Sequence, residues 1–207
     1  MTMAAVRPGA PKTQRFLPIF RASNWLDGDT ASGLLRYAIE NQPRFEAGSV
    51  VRQGRAEVDT RYRDASVLRD LGEFREPLRG AALAVKPQLE EVFGMPPFPV
   101  KWVEIELAAH GDGAHFERHI DTLVLVNQTP STRILTLLLY LNREPKAFSG
   151  GALRMYAIGS EGTRDVEPEH NLLVAFPAIA PHSVERVVCH GSEFAGRRFA
   201  VNIRLHR

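Results

Sequence analysis

Arg133 to Asn142, RILTLLLYLN, reads as a β-strand with two unlike faces. Side chains alternate across a strand with a period of two. One parity holds Leu135, Leu137, Leu139 and Leu141, and the other Ile134, Thr136, Leu138, Tyr140 and Asn142. The leucine face suits dry packing against helices, and the face with Thr136 and Tyr140 suits a partly polar interior. The closing segment, Arg197–His206, divides the same way. Phe199, Val201, Ile203 and Leu205 lie on one face, and Arg198, Ala200, Asn202 and Arg204 on the other. A cation followed by small residues leaves room for a small anionic ligand.

Working outward, further strands are expected at Val100–Ala108, Ile120–Val126, Ala152–Ile158, Leu172–Phe176 and Ser183–Val188. Turn signals such as Asn127–Pro130 and Ser149-Gly150-Gly151 separate them. Before Pro99 the texture is helical. Asp29 or Thr30 can cap a helix running to about Asn41. Phe74–Val92 reads as a second helix closed by Gly94, with Pro87 expected to kink or split it. Phe16–Phe20 and Phe45–Val51 read as short strands. Arg52–Asp64 is a charged loop, either solvated or a lid over a site. Helices followed by many spaced strands predict a mainly β fold with N-terminal helices, a jelly roll or barrel.

The chain has 207 residues, enough for one domain with a real core. Residues 1–15 read as a disordered tail and 16–207 as a single domain. The 26 basic and 24 acidic side chains nearly balance, which argues against a nucleic-acid surface or a polybasic membrane anchor. No apolar run is long enough to span a membrane. Cys189 is the only cysteine, which fits a cytoplasmic location.

The chemistry centres on Ala109–Asp121, AHGDGAHFERHID. In extended backbone His119 and Asp121 point the same way and can share one metal ion. His182, in a turn flanked by Pro177 and Pro181 after an apolar strand, is the candidate third ligand. Two histidines and a carboxylate on one face of a metal, with open positions opposite, is the ligand set of non-haem Fe(II) oxygenases. His110 and His115 compete with these assignments. A zinc-protease helix does not fit His115-Phe116-Glu117-Arg118-His119, because the glutamate falls one place late and glycines precede it. No G-x-S-x-G elbow supports a serine hydrolase.

Taken in order, the pieces resemble the iron(II)- and 2-oxoglutarate-dependent dioxygenases, in their prolyl-4-hydroxylase-like branch. The resemblance covers roughly Val103–Leu205. It rests on Gly111, Gly113, Phe116, His119 and Asp121, then on Arg133, Thr136, Tyr140, Leu141 and Asn142. Gly150-Gly151, Val166 with Pro168, Phe176-Pro177 with His182 and Val184, and Gly196–Phe199 complete it.

The resemblance implies a double-stranded β-helix, or jelly roll, with His119, Asp121 and His182 as metal ligands. Tyr140 and Arg198 would hold the side-chain carboxylate of 2-oxoglutarate, with Arg197 as the fallback. Leu153 and Thr136 would complete the cofactor site. The planar fork of an arginine suits bidentate carboxylate binding. Implied cofactors are Fe(II), 2-oxoglutarate as co-substrate and O₂, with ascorbate as an optional addition. The implied activity is hydroxylation of a C–H bond in a small molecule, peptide or protein, with succinate and CO₂ as co-products. Two departures stand out: the family often has a tyrosine near Ala109, and often a glutamate where this chain has Ser183. The alternatives are a non-catalytic, cupin-like metal-binding jelly roll and a metal-dependent hydrolase.

Overall fold

The computed structural model describes residues 14–52, 55–122 and 132–207. In chain order the elements are β1 (Phe20–Ser23), α1 (Gly28–Glu40), β2 (Glu46–Ala47), β3 (Val50–Arg52), β4 (Arg55–Glu57), β5 (Ser66–Leu68), α2 (Arg75–Phe93), β6 (Trp102–His110), β7 (Phe116–His119), β8 (Arg133–Leu141), β9 (Phe148–Gly150), β10 (Leu153–Tyr156), β11 (Thr163–Val166), β12 (Leu172–Pro177), β13 (His182–Val184), β14 (Val187–Cys189) and β15 (Arg198–His206). The protein is mainly β with few helices, and its strand pairings are antiparallel. A seven-stranded sheet runs β1-β12-β8-β15-β6-β5-β2, and a four-stranded sheet runs β11-β10-β13-β7.

The two faces of β8 and β15 separate as their alternation predicts. Leu135, Leu137, Leu139 and Leu141 join Phe199, Val201, Ile203 and Leu205 in one buried cluster. Ala31, Leu34, Leu35 and Ala38 of α1 and Leu78, Ala82 and Leu89 of α2 complete it. Both helices therefore cover the outer face of the large sheet. The opposite face supplies Leu138, Tyr140, Val174, Phe176 and Ala200, which meet Leu153, Met155 and Val166 of the small sheet. The two sheets thus face one another, and the charged residues of β6 and β15 lie in the space between them.

Several boundaries differ from expectation. The α1 cap is Asp27, whose side chain accepts from the Thr30 amide. Pro87 sits inside an unbroken α2, on an exposed position where water can serve the carbonyl it leaves without a donor. Gly94 ends that helix with φ 61°, as the glycine suggests. Phe16–Ile19 is not strand, and the edge strand begins at Phe20. Phe45–Val51 breaks into β2 and part of β3, and Ser183–Val188 divides between β13 and β14. His119 ends a strand instead of preceding one, because Asp121 and Thr122 turn away with their amides on Ala178 O at 2.9 and 3.0 Å. The rest of the expected Ile120–Val126 strand, the Asn127–Pro130 turn and most of the 1–15 tail lie outside the described residues.

Candidate functional site

His119 and His182 come together because β7 and β13 pair antiparallel with these two residues in register. Their ring centroids are 4.2 Å apart. Phe116 stacks on His119 at 3.6 Å, and Phe176 packs edge-on to His182 at 4.7 Å. Each imidazole uses Nδ1 on a backbone carbonyl. His119 bonds Glu117 O at 2.7 Å and His182 bonds Ala180 O at 2.9 Å. That choice leaves both Nε2 atoms as acceptors, which is how a histidine presents itself to a metal. Asp121 Oδ2 lies 3.8 Å from His182 Nε2. One donor atom each from His119, Asp121 and His182 falls within 4.8 Å of the others, a cluster that could hold one metal ion.

The electrostatics suit a divalent cation. Burial pushes both imidazoles down, His119 to about 3, so both are neutral at physiological pH. Burial would push Asp121 up, but Arg204 and the two imidazoles outweigh it and hold the carboxyl well below its usual range. Thr136 donates to Asp121 Oδ2 at 2.7 Å, and Arg204 Nε donates to Oδ1 at 3.1 Å.

Arg198 and Tyr140 lie on one side of the cluster. Arg198 is 1% exposed. Its Nε donates to Gly151 O at 2.8 Å and its Nη1 contacts His110 Nδ1 at 3.2 Å. Among the described residues it has no carboxylate partner. Its guanidinium lies 4.9 Å from the Tyr140 ring centroid, and the buried Tyr140 hydroxyl makes no well-formed hydrogen bond. Burial raises the Tyr140 phenol to about 12, so it is a donor at any physiological pH. Gly151 makes room for this arginine: at φ +68° a Cβ there would sit 2.6 Å from Arg198 Cδ. A narrow pocket of about 30 Å³ joins Arg198, His110 and Leu153 to all three cluster residues.

Sequence reasoning singled out most of this group and placed the rest incompletely. His110 fills the space beside Arg198, one residue from the position where no tyrosine was found. His115 bonds Gly113 O and Arg61 O and takes no part in the cluster. Arg197 lies over Phe194 and lines a different cavity with Asp112 and Cys189. The hydroxyl of Thr136 reaches Asp121, so any role toward a cofactor passes through that carboxylate.

The opposite side of the cluster was missed. A cavity of about 290 Å³ is lined by His119 and Asp121 together with Arg63, Glu104, Glu106, Arg133 and Arg204. Arg63 comes from the 52–64 segment and pairs with Glu106 at 2.6 Å. The signal was available in β6, where Glu104, Glu106, Ala108 and His110 share one parity against Val103, Ile105, Leu107 and Ala109.

Comparisons with known proteins agree with this architecture. Residues 105–206 match the profile of the 2OG-Fe(II) oxygenase superfamily. An uncharacterized PKHD-type hydroxylase of Synechocystis sp. is 34% identical over 129 residues, which is 57% of this chain and 42% of that protein. The chain thus spans less than half the length of that curated relative. A prolyl-4-hydroxylase of Pseudomonas putida superposes with a TM-score of 0.67 at 20% identity, covering 94% of each chain. A Trichoplax adhaerens prolyl hydroxylase, solved with a hypoxia inducible factor oxygen degradation domain peptide, gives 0.67 at 19% identity, covering 90% of this chain and 82% of that one. These two likenesses speak to the fold. With the ordered motifs, residues 105–206 carry the profile of the 2OG-Fe(II) oxygenase superfamily, on a fold similar to that of prolyl-4-hydroxylases.

Proposed function

We propose that this protein is an Fe(II)- and 2-oxoglutarate-dependent dioxygenase that hydroxylates a C–H bond, releasing succinate and CO₂. The observation that carries the reading is Arg198, a buried guanidinium with no acidic partner, set in a pocket shared with His119, Asp121 and His182. A buried cation without an anion is costly unless a ligand brings one. The Tyr140 hydroxyl, buried beside it with no well-formed hydrogen bond, is the second donor for that ligand. A metal-binding protein without turnover would have no use for either group.

In this reading His119, Asp121 and His182 hold Fe(II), and Arg198 and Tyr140 hold the far carboxylate of 2-oxoglutarate. His110 orients the guanidinium, and Leu153 forms an apolar wall. The pocket is narrow, so lining side chains shift when the co-substrate enters. When bound, iron and O₂ supply the oxidising power. The protein binds, orients and keeps water away. Thr136 and Arg204 fix the Asp121 carboxylate, leaving Oδ2 toward the imidazoles. We read the two facing sheets as a double-stranded β-helix with helices on its outer face, and residues 16–207 as one domain. The substrate is a small molecule or a peptide. A cytoplasmic setting fits Cys189, which is free in the structure.

The test is succinate formation by the Fe(II)-loaded protein supplied with 2-oxoglutarate and O₂. Activity should disappear without O₂ and in Asp121→Ala, while His115→Ala retains metal binding. A metal-dependent hydrolase or a metal binder without turnover would release no succinate with O₂ present, and that result would refute the proposal.

A further inference from the structure

The larger cavity, on the far side of the metal cluster from Arg198, carries information about the substrate. This inference rests on the oxygenase reading. Its charges balance: buried Arg63 and Arg204 and half-buried Arg133 stand against buried Glu106 and Asp121 and half-buried Glu104. At the rim Arg69 pairs with Glu46 at 2.9 Å. The cavity therefore has no surplus charge with which to recruit an ion.

The two glutamates are not equivalent. Both oxygens of Glu104 are occupied, by Arg133 at 2.9 and 3.0 Å, by Arg204 at 3.0 Å and by His206 at 3.2 Å. Glu106 is served on one oxygen only. Its Oε1 accepts from Arg63 at 2.6 Å and Asn202 at 3.4 Å, with Arg204 Nη1 3.6 Å away. Its Oε2 receives no hydrogen bond from any described residue, although Glu106 is only 7% exposed. That oxygen is not sealed from solvent, so in the cavity it stands open to a donor from a ligand. It lies in the wall of a cavity that also contains two metal ligands.

We propose that Glu106 is the specificity residue of this site. Its Oε2 accepts a hydrogen bond from an uncharged polar substrate that carries an N–H or O–H donor, such as a carboxamide or hydroxyl, near the carbon to be oxidised. A cationic donor is disfavoured because Arg63 and Arg204 already flank the carboxylate. A peptidyl proline is disfavoured more strongly. Its nitrogen has no hydrogen to give, and its ring would cover six charged groups while offering them nothing in exchange.

The experiment uses the whole protein loaded with Mn(II) and 2-oxoglutarate, without O₂. Calorimetric titrations compare N-acetylglutamine dimethylamide, N-acetylproline dimethylamide and N-acetyllysine dimethylamide. The glutamine derivative should bind at least about tenfold more tightly than the other two, the loss expected when one hydrogen bond to a buried charged group is missing. Glu106→Gln should remove that advantage. Arg63 will hold the new carboxamide oxygen, which turns its NH₂ toward the cavity and replaces an acceptor with a donor. Retained 2-oxoglutarate affinity shows that the variant is folded. Glu106→Asp, which withdraws the carboxylate, should show the same loss and serves if the glutamine variant does not fold. Three results overturn the inference: equal or tighter binding of the proline derivative, an unchanged profile in Glu106→Gln, or no binding of the glutamine derivative to a wild-type protein that takes up 2-oxoglutarate. Failure of the wild type to bind 2-oxoglutarate would instead strike at the oxygenase reading.

Discussion

Arg198 and Arg204 sit on the same inner face of the same strand, six residues apart, and both are buried. Their surroundings differ sharply. Arg204 contacts Asp121 at 3.1 Å, Glu104 at 3.0 Å and Glu106 at 3.6 Å, and these acids hold its charge in place. Arg198 has a backbone carbonyl, a neutral imidazole and the Tyr140 ring but no acid, and burial works against its charge. A fully partnered buried arginine is part of the folded structure. An unpartnered one is a receptor for an anion that the chain does not itself supply.

The contrast breaks most directly through stability. Removing one member of a buried ion network strands the others and costs about 3–5 kcal/mol. Arg204→Met should therefore destabilise the metal-free protein by that amount in urea unfolding, because three carboxylates lose their shared cation. Arg198→Met strands no acid, so its cost should stay below about 1 kcal/mol or become a gain. Equal losses in the two variants would end the distinction.

Acid should expose the same network. His110, His119 and His182 have folded-state pKa values lowered by burial, His119 to about 3. Protonation then favours the unfolded chain, and stability is lost as pH falls below about 6.5. Glu104 is held down to about 2 by His206 and its arginines, against burial. Its contribution is complete above about 4.5 and disappears between there and about 2. Unfolding midpoints of the metal-free protein should thus be level from pH 8 to pH 7 and fall in two stages below. A midpoint unchanged from pH 7 to pH 5 would contradict the burial of neutral imidazoles.

Two smaller substitutions sharpen the picture. In Gly151→Ala the new methyl meets Arg198 Cδ and Val187 Cγ2 at positive φ. It should cost about 1–3 kcal/mol and weaken 2-oxoglutarate several-fold while sparing Mn(II). Thr136→Val removes the hydroxyl bond to Asp121. It should cost about 1 kcal/mol of stability and about tenfold in Mn(II) affinity, with Mn(II) titration as the readout. If Gly151→Ala weakened the metal more than Thr136→Val, the division of roles between the two sides would be wrong.

Much of the site was legible because strand alternation is strict. The period of two placed Arg198 and Tyr140 inward, whereas Asp121 lies beyond the end of β7 and meets His119 through a turn held on Ala178 O. What alternation could not reveal is register. Pairing of β15 with β6 sets Arg198 opposite His110, Asn202 opposite Glu106 and Arg204 opposite Glu104. A slip of one residue would set each opposite an outward-facing neighbour. The partners of the two arginines, and with them the difference between the two cavities, emerge only when that pairing is seen. Arg63 was hidden for another reason. Its run of charges resembles a solvated loop until Glu106 is found facing it.

The most direct test of the account is calorimetric titration of 2-oxoglutarate into the Mn(II)-loaded wild type, Arg198→Ala and Arg197→Ala proteins, without O₂. Arg198→Ala should weaken binding by at least about tenfold, since a charge-assisted pair is worth roughly 1.5–3 kcal/mol and one decade is about 1.4 kcal/mol. Arg197→Ala, on a different cavity, should bind as the wild type does. Unchanged affinity in Arg198→Ala would contradict the claim that the unpartnered arginine is the seat of the co-substrate.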